Sequence, residues 1–106
     1  MRRVVPAPFP SDPLVLDAAS FGAAVRAART SAGMSLADAA QTVGVAKQTL
    51  SDLETAKGSV GIATALRVAR ELGVATFSVP AAEREPVRRL IQRARADANS
   101  PPGEQA

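Results

Sequence analysis

Ser35-Leu-Ala-Asp-Ala-Ala-Gln-Thr-Val-Gly-Val-Ala-Lys-Gln-Thr-Leu-Ser-Asp-Leu-Glu54 is the stretch whose reading decides the fold. Ser35 followed by Asp38 makes a capping-box-like helix start. Leu36, Ala39, Ala40 and Val43 then recur at helical spacing on one face. Gly44 ends that helix, because glycine enters the left-handed region without a Cβ penalty and so allows a sharp change of direction. Val45 and Ala46 lead directly into a second helix, Lys47 to about Thr55, whose buried face is Leu50 and Leu53. Ala40 is small where this helix crosses closely, and Val45 plugs the turn. Two short helices at a steep angle across a glycine turn make a helix-turn-helix.

Further helices flank this pair. Upstream, Asp17 is a good N-cap, with Leu16 placed to staple onto Phe21. Phe21, Ala24, Val25 and Ala28 fall on one face, and Gly33 is a natural stop. Downstream, a break near Lys57-Gly58-Ser59 precedes a helix from about Ile62 to Leu72, with Ala65, Val68, Ala69 and Leu72 inward and Gly73 closing it. Val74 to Val79 alternates, with Ala75, Phe77 and Val79 on one side, and Pro80 ends the run. So short a strand needs a partner strand. Pro86 opens a last helix, Val87 to about Ala98, with an apolar stripe of Val87, Leu90, Ile91 and Ala94 beside Arg88, Arg89, Arg93 and Arg95.

The expected organisation is a flexible proline-rich arm over residues 1–15, a helical domain over 16–74, a short strand over 75–80 and a basic helix with a loose tail over 81–106. Pro6, Pro8, Pro10 and Pro13 bar a helix from the arm. By composition the arm reads as a disordered tail; the alternative is that Arg2 and Arg3 reach from it toward a DNA groove. The fold class is all-α, a bundle of four to five helices with one short strand.

Composition agrees. The chain has 106 residues, room for one domain and two tails. It has three Phe, no Trp and no Tyr, so its core is built from Ala, Val and Leu. Cysteine and histidine are absent, which removes disulfides, thiolate or imidazole metal sites, and every nucleophile arrangement that needs His or Cys. The reading expects no enzyme, no cofactor and no metal. A net charge of +3 permits nucleic-acid binding without requiring it. No apolar run reaches membrane-spanning length and no signal-peptide stretch follows Met1-Arg2-Arg3, so no membrane partner is expected and the cytoplasm is the expected location.

With Leu50 and Leu53 buried, Lys47, Gln48, Thr49, Ser51, Asp52 and Thr55 face outward. A helix fits the DNA major groove, where Gln pairs with adenine, Lys donates to guanine and Asp accepts from cytosine. Ser and Thr contact bases or phosphates. A helical hairpin with a polar outer face is the plainer alternative. Against it stands the spacing of Ala40, Gly44, Leu50 and Leu53 within four capped helices.

From about Phe21 to Val74 the chain resembles the lambdoid-repressor, or Cro/C1-type (XRE), helix-turn-helix family. The matching pieces are Phe21-Gly-x-x-Val-Arg-x-x-Arg29, Leu36 to Gly44, Gly44 to Glu54, and Ala65-Leu-x-x-Ala-x-x-Leu-Gly-Val74. The resemblance implies a lambda-repressor-like bundle that lays the start of its third helix in the major groove of double-stranded DNA. It implies base contacts from Lys47 and Gln48, supported by Thr49, Ser51 and Asp52, and phosphate contacts at Ser35, Lys57 and Ser59. It also implies an internal ion pair between Arg29 and Glu54. The sequence departs from the family where Leu36 replaces a common Gln, where Ala46 replaces the usual Ser or Thr, and at Thr55-Ala56-Lys57-Gly58.

The segment after the fourth helix resembles that of the HipB-type antitoxin branch. This implies a repressor or autoregulating antitoxin that dimerises through Ala75, Phe77 and Val79 and reads a palindromic operator. In the competing reading the chain is chiefly an interaction module, with the last helix or the arm binding a protein such as a toxin. The stripe on that helix either serves such a partner or packs on its own domain.

Overall fold

A computed structural model describes residues 3–99. Its helices are α1 (Ala18–Ser31), α2 (Leu36–Val43), α3 (Lys47–Thr55), α4 (Ile62–Glu71) and α5 (Arg84–Ala98), with a single 3-10 turn, Ala81–Glu83, before the last. Among the described residues no helix is long and apolar enough to cross a membrane. The chain forms two compact units, residues 3–10 with 15–77, and residues 11–14 with 78–99.

In the first unit α1 starts where Asp17 caps it, its Oδ1 accepting from Ser20 N at 2.8 Å. That backbone hydrogen bond holds the Asp17 carboxyl below its ordinary range. Leu16 is 63% exposed, so the expected staple onto Phe21 buries little. α1 turns Ala24, Val25 and Ala27 inward, and α2, α3 and α4 add Ala39, Ala40, Val43, Leu50, Leu53, Ala65, Val68 and Ala69. Val25, Leu50 and Val68 are the largest fully buried side chains, each worth about 1.5–3 kcal/mol of burial. A core of such small residues demands close helix approach. The tightest approach is at Gly22, where an added Cβ would stand 2.3 Å from Leu53 O and 2.7 Å from Glu54 O. The α1–α3 crossing therefore needs glycine for space, not for its backbone angle.

Gly44 adopts φ +74°, and both its N–H and that of Val45 return to Ala40 O at 2.9 and 3.0 Å. Arg67 of α4 adds a cap there, its Nη1 donating to Val43 O at 2.6 Å while pairing with Glu71 at 2.8 Å. The α2–α3 turn is thus fastened from outside the motif. Val74, past Gly73, is buried, and its N–H returns to Ala69 O at 2.8 Å.

Two sequence expectations change. Among the described residues there is no strand, and residues 75–80 carry no regular structure. A strand exists only with a ladder partner, which a single copy of the chain does not supply to this segment. The arm is not loose throughout: Ala7 N donates to the buried Thr30 Oγ1 at 2.8 Å, and that hydroxyl donates on to Arg26 O at 2.8 Å. Arg3 is exposed; Arg2 and residues 100–106 lie outside the described residues.

The second unit is built differently. α5 begins at Arg84, three residues before the expected start, because Pro86 fits in a first turn where no N–H is needed. None of its residues is buried, and Leu90 is 64% exposed. Polar contacts fasten it to residues 11–14. Arg88 donates from Nε and Nη2 to the two Asp12 oxygens, each at 3.1 Å, and pairs with Glu85; Arg95 Nη1 donates to Ser11 O at 3.3 Å. The Arg88 hydrogen bond holds the Asp12 carboxyl below its usual range, and Asp12 raises the Arg88 guanidinium in return.

Candidate nucleic-acid interface

α3 has an inner and an outer face. Leu50, Leu53 and Glu54 point inward. Arg29 of α1 meets Glu54 with two parallel hydrogen bonds, Nε to Oε2 at 2.6 Å and Nη2 to Oε1 at 2.8 Å. Its remaining nitrogen, Nη1, donates to Met34 O at 2.7 Å. One guanidinium so joins α1, the α1–α2 turn and α3. The planar Arg fork suits this, since each donor points at its own acceptor. Together with the Gly22 crossing, the pair fixes how α3 sits on α1.

On the outer face Lys47 and Gln48 are exposed on the first turn, while Thr49, Ser51 and Asp52 are half-buried. Gln48 Nε2 donates to Asp52 Oδ1 at 2.9 Å. The Thr55 hydroxyl turns back onto Ser51 O at 2.7 Å, leaving its oxygen lone pairs outward. Ala46 occupies the N-cap position with no side-chain cap, so the first N–H groups of α3 lack that acceptor. A missing cap costs about 1 kcal/mol of helix stability and leaves the positive end of the helix open to anions.

The remaining expected contacts lie at the two ends of the pair. Ser35 is half-buried and its Oγ accepts from Asp38 N at 3.1 Å, capping α2. Lys57 and Ser59 are exposed just beyond α3. That exit is unusual: Ala56 ends the helix at φ 56°, in the left-handed region that disfavours a Cβ. Ala75 and Phe77 are exposed in the first unit, and Val79, half-buried, belongs to the second.

Sequence reasoning gave no role to Gly22 or Arg67 and did not pair Gln48 with Asp52. Gly22 stood in a quoted motif without a role, and its signal was an otherwise costly glycine inside a helix. Arg67 carries no local signal for its bond to Val43 O, which belongs to another helix. The Gln48–Asp52 contact was available from i, i+4 spacing.

The helix-turn-helix family model HTH_3 matches residues 25–77, half of the chain, including all of α2, α3 and α4. No curated protein matches the chain significantly. The match begins within α1, four residues before Arg29, and so contains both partners of the buried ion pair. The chain belongs to the Cro/C1-type (XRE) helix-turn-helix family of DNA-binding regulators.

Proposed function

We propose that the chain is a sequence-specific transcriptional regulator that binds double-stranded DNA as a homodimer, with the first turn of α3 in the major groove. The observation that carries this reading is the asymmetry of α3. Its inner face is bolted to α1 through Arg29–Glu54, and its outer face presents Lys47 and Gln48 to solvent. Lys47 donates to guanine, Gln48 reads adenine, and Thr49 and Ser51 support them. Ser35, Lys57 and Ser59 bind phosphates on either side.

Two-fold symmetry follows from pairing of residues 75–79 between copies, with Phe77, 59% exposed, as the main apolar contribution. The operator is then palindromic, its half-sites about 10 base pairs apart centre to centre. Selection of bound sites from random duplexes tests the reading, with a two-fold motif at that spacing as the expected result. Unrelated winning sequences, or binding indifferent to salt, contradict it. Phe77→Ser in the full chain weakens dimerisation in light scattering; a variant that dimerises as tightly as the parent rules this segment out as the interface. The reading includes repression, either as a free-standing repressor or as an autoregulating antitoxin.

A second reading is favoured by α5, which buries none of its residues and leaves Leu90 exposed. In it α5 binds a partner protein such as a toxin. A toxin gene beside this one supports that version, and an unrelated neighbourhood counts against it.

A further inference from the structure

The outer face of α3 carries a carboxylate, Asp52, that forms no ion pair among the described residues. An acid there is disfavoured beside the phosphate backbone, so its presence calls for a role. Asp52 Oδ1 accepts from Gln48 Nε2 at 2.9 Å, one helical turn earlier. Beyond Asp52 the helix closes, Lys57 N donating to the main-chain oxygen of Asp52 at 3.0 Å, a bond that fixes the backbone of Asp52 and leaves its carboxylate to Gln48.

An ionised carboxylate only accepts hydrogen bonds, so it faces the amide nitrogen of Gln48 and never the amide oxygen. That decides which way round the amide stands. Of the two N–H groups on Nε2, one goes to Asp52; one N–H and the acceptor Oε1 remain for a base. Adenine offers the matching pair in the major groove, an acceptor at N7 and a donor at N6. Guanine offers two acceptors, N7 and O6. A tethered Gln48 has a single N–H for them and sets Oε1 against the other. Released from Asp52, the amide can turn over or direct both N–H groups at guanine.

We infer that Asp52 is a positioning residue that makes Gln48 selective for adenine over guanine, and that it does not itself read cytosine. The inference rests on the reading of α3 as the base-reading helix. Asp52 also lies four residues, about 6 Å along the axis, farther from the helix start that enters the groove. A merely helix-stabilising Gln–Asp pair would leave base preference untouched, so base preference is the quantity to measure.

The test is site selection from random duplexes with the full-length parent, Asp52→Ala, Gln48→Ala and the double variant. Asp52→Ser serves as a second truncation should Asp52→Ala melt early. The parent is expected to select adenine at one position of each half-site. Asp52→Ala cuts the adenine-to-guanine ratio at that position about tenfold. Gln48→Ala loses the preference, and the double variant is no worse than Gln48→Ala. Loss of the negative charge strengthens binding to every duplex alike, which the ratio does not register. A loss of cytosine preference at another position, with the adenine-to-guanine ratio intact, overturns the inference, as does a motif unchanged by Asp52→Ala. A parent that selects no motif removes base reading by α3 altogether, a failure distinct from either.

Discussion

α3 and α5 are both amphipathic helices with cations on their outer faces, and they are held by opposite means. α3 spans nine residues, buries Leu50, Leu53 and Glu54, and is joined to α1 by a buried ion pair. α5 spans fifteen, buries none, and is fastened by Arg88 to Asp12 and by Arg95 to Ser11. Length and periodicity therefore do not measure how firmly a helix is held. The shorter helix is placed by a packed inner face of Leu50 and Leu53; the longer one has only half-buried apolar residues, Val87 and Ile91, beside polar contacts that contribute little each.

Breaking the α3 side gives the largest effect. Glu54→Ala strands the Arg29 guanidinium in the core and is expected to cost about 3–5 kcal/mol, read as a lower midpoint in urea unfolding. An unchanged midpoint would show that the pair does not hold the crossing. A matched pair of leucines then sets the two helices side by side. Leu50→Ala, at a fully buried position, costs about 2–5 kcal/mol. Leu90→Ala, on the exposed face of α5, stays within about 0.5 kcal/mol. Equal losses would mean that α5 is packed as firmly as α3. Between them falls Gly22→Ala, at about 1–3 kcal/mol, because its methyl meets backbone that cannot rotate away. Its tilt of α3 should weaken DNA binding as well as stability.

Acid gives the smallest and most local effect. The Asp12 carboxyl is depressed below 3.8 by its hydrogen bond from Arg88. Its contribution is present in full above that value and is lost as pH falls through the folded-state pKa. Amide exchange within α5 should quicken in that acid window while the amides of α3 stay protected. Simultaneous loss in both helices would contradict the contrast between them.

Much of the first unit was legible because its signals were local. Asp17, Ser35, Gly44 and Gly73 mark helix ends through side-chain or backbone chemistry that neighbours in sequence supply. The apolar stripes of α1 to α4 coincide with the core for the same reason. What escaped notice is set by distant partners. Gly22 is needed because of Leu53, Arg67 because of Val43, and Thr30 because of Ala7. No periodicity within one helix encodes those contacts. The stripe of α5 has the same spacing as that of α4, yet its Val87 and Ile91 are only half-buried and its Leu90 is exposed. The alternation from 74 to 79 likewise promised a strand that one copy of the chain does not form. At the interface, residue type and exposure pointed to Lys47 and Gln48, but whether Asp52 reads a base or holds Gln48 depends on a side-chain contact.

The central claim is that α3 reads bases, and its most direct measurement is the affinity of Lys47→Ala and Gln48→Ala for a selected operator and for random duplex at one salt concentration. Each variant should lose about 1–3 kcal/mol on the operator and little on random DNA. Equal losses on both would mean that these side chains bind phosphate and that α3 is not the reading helix.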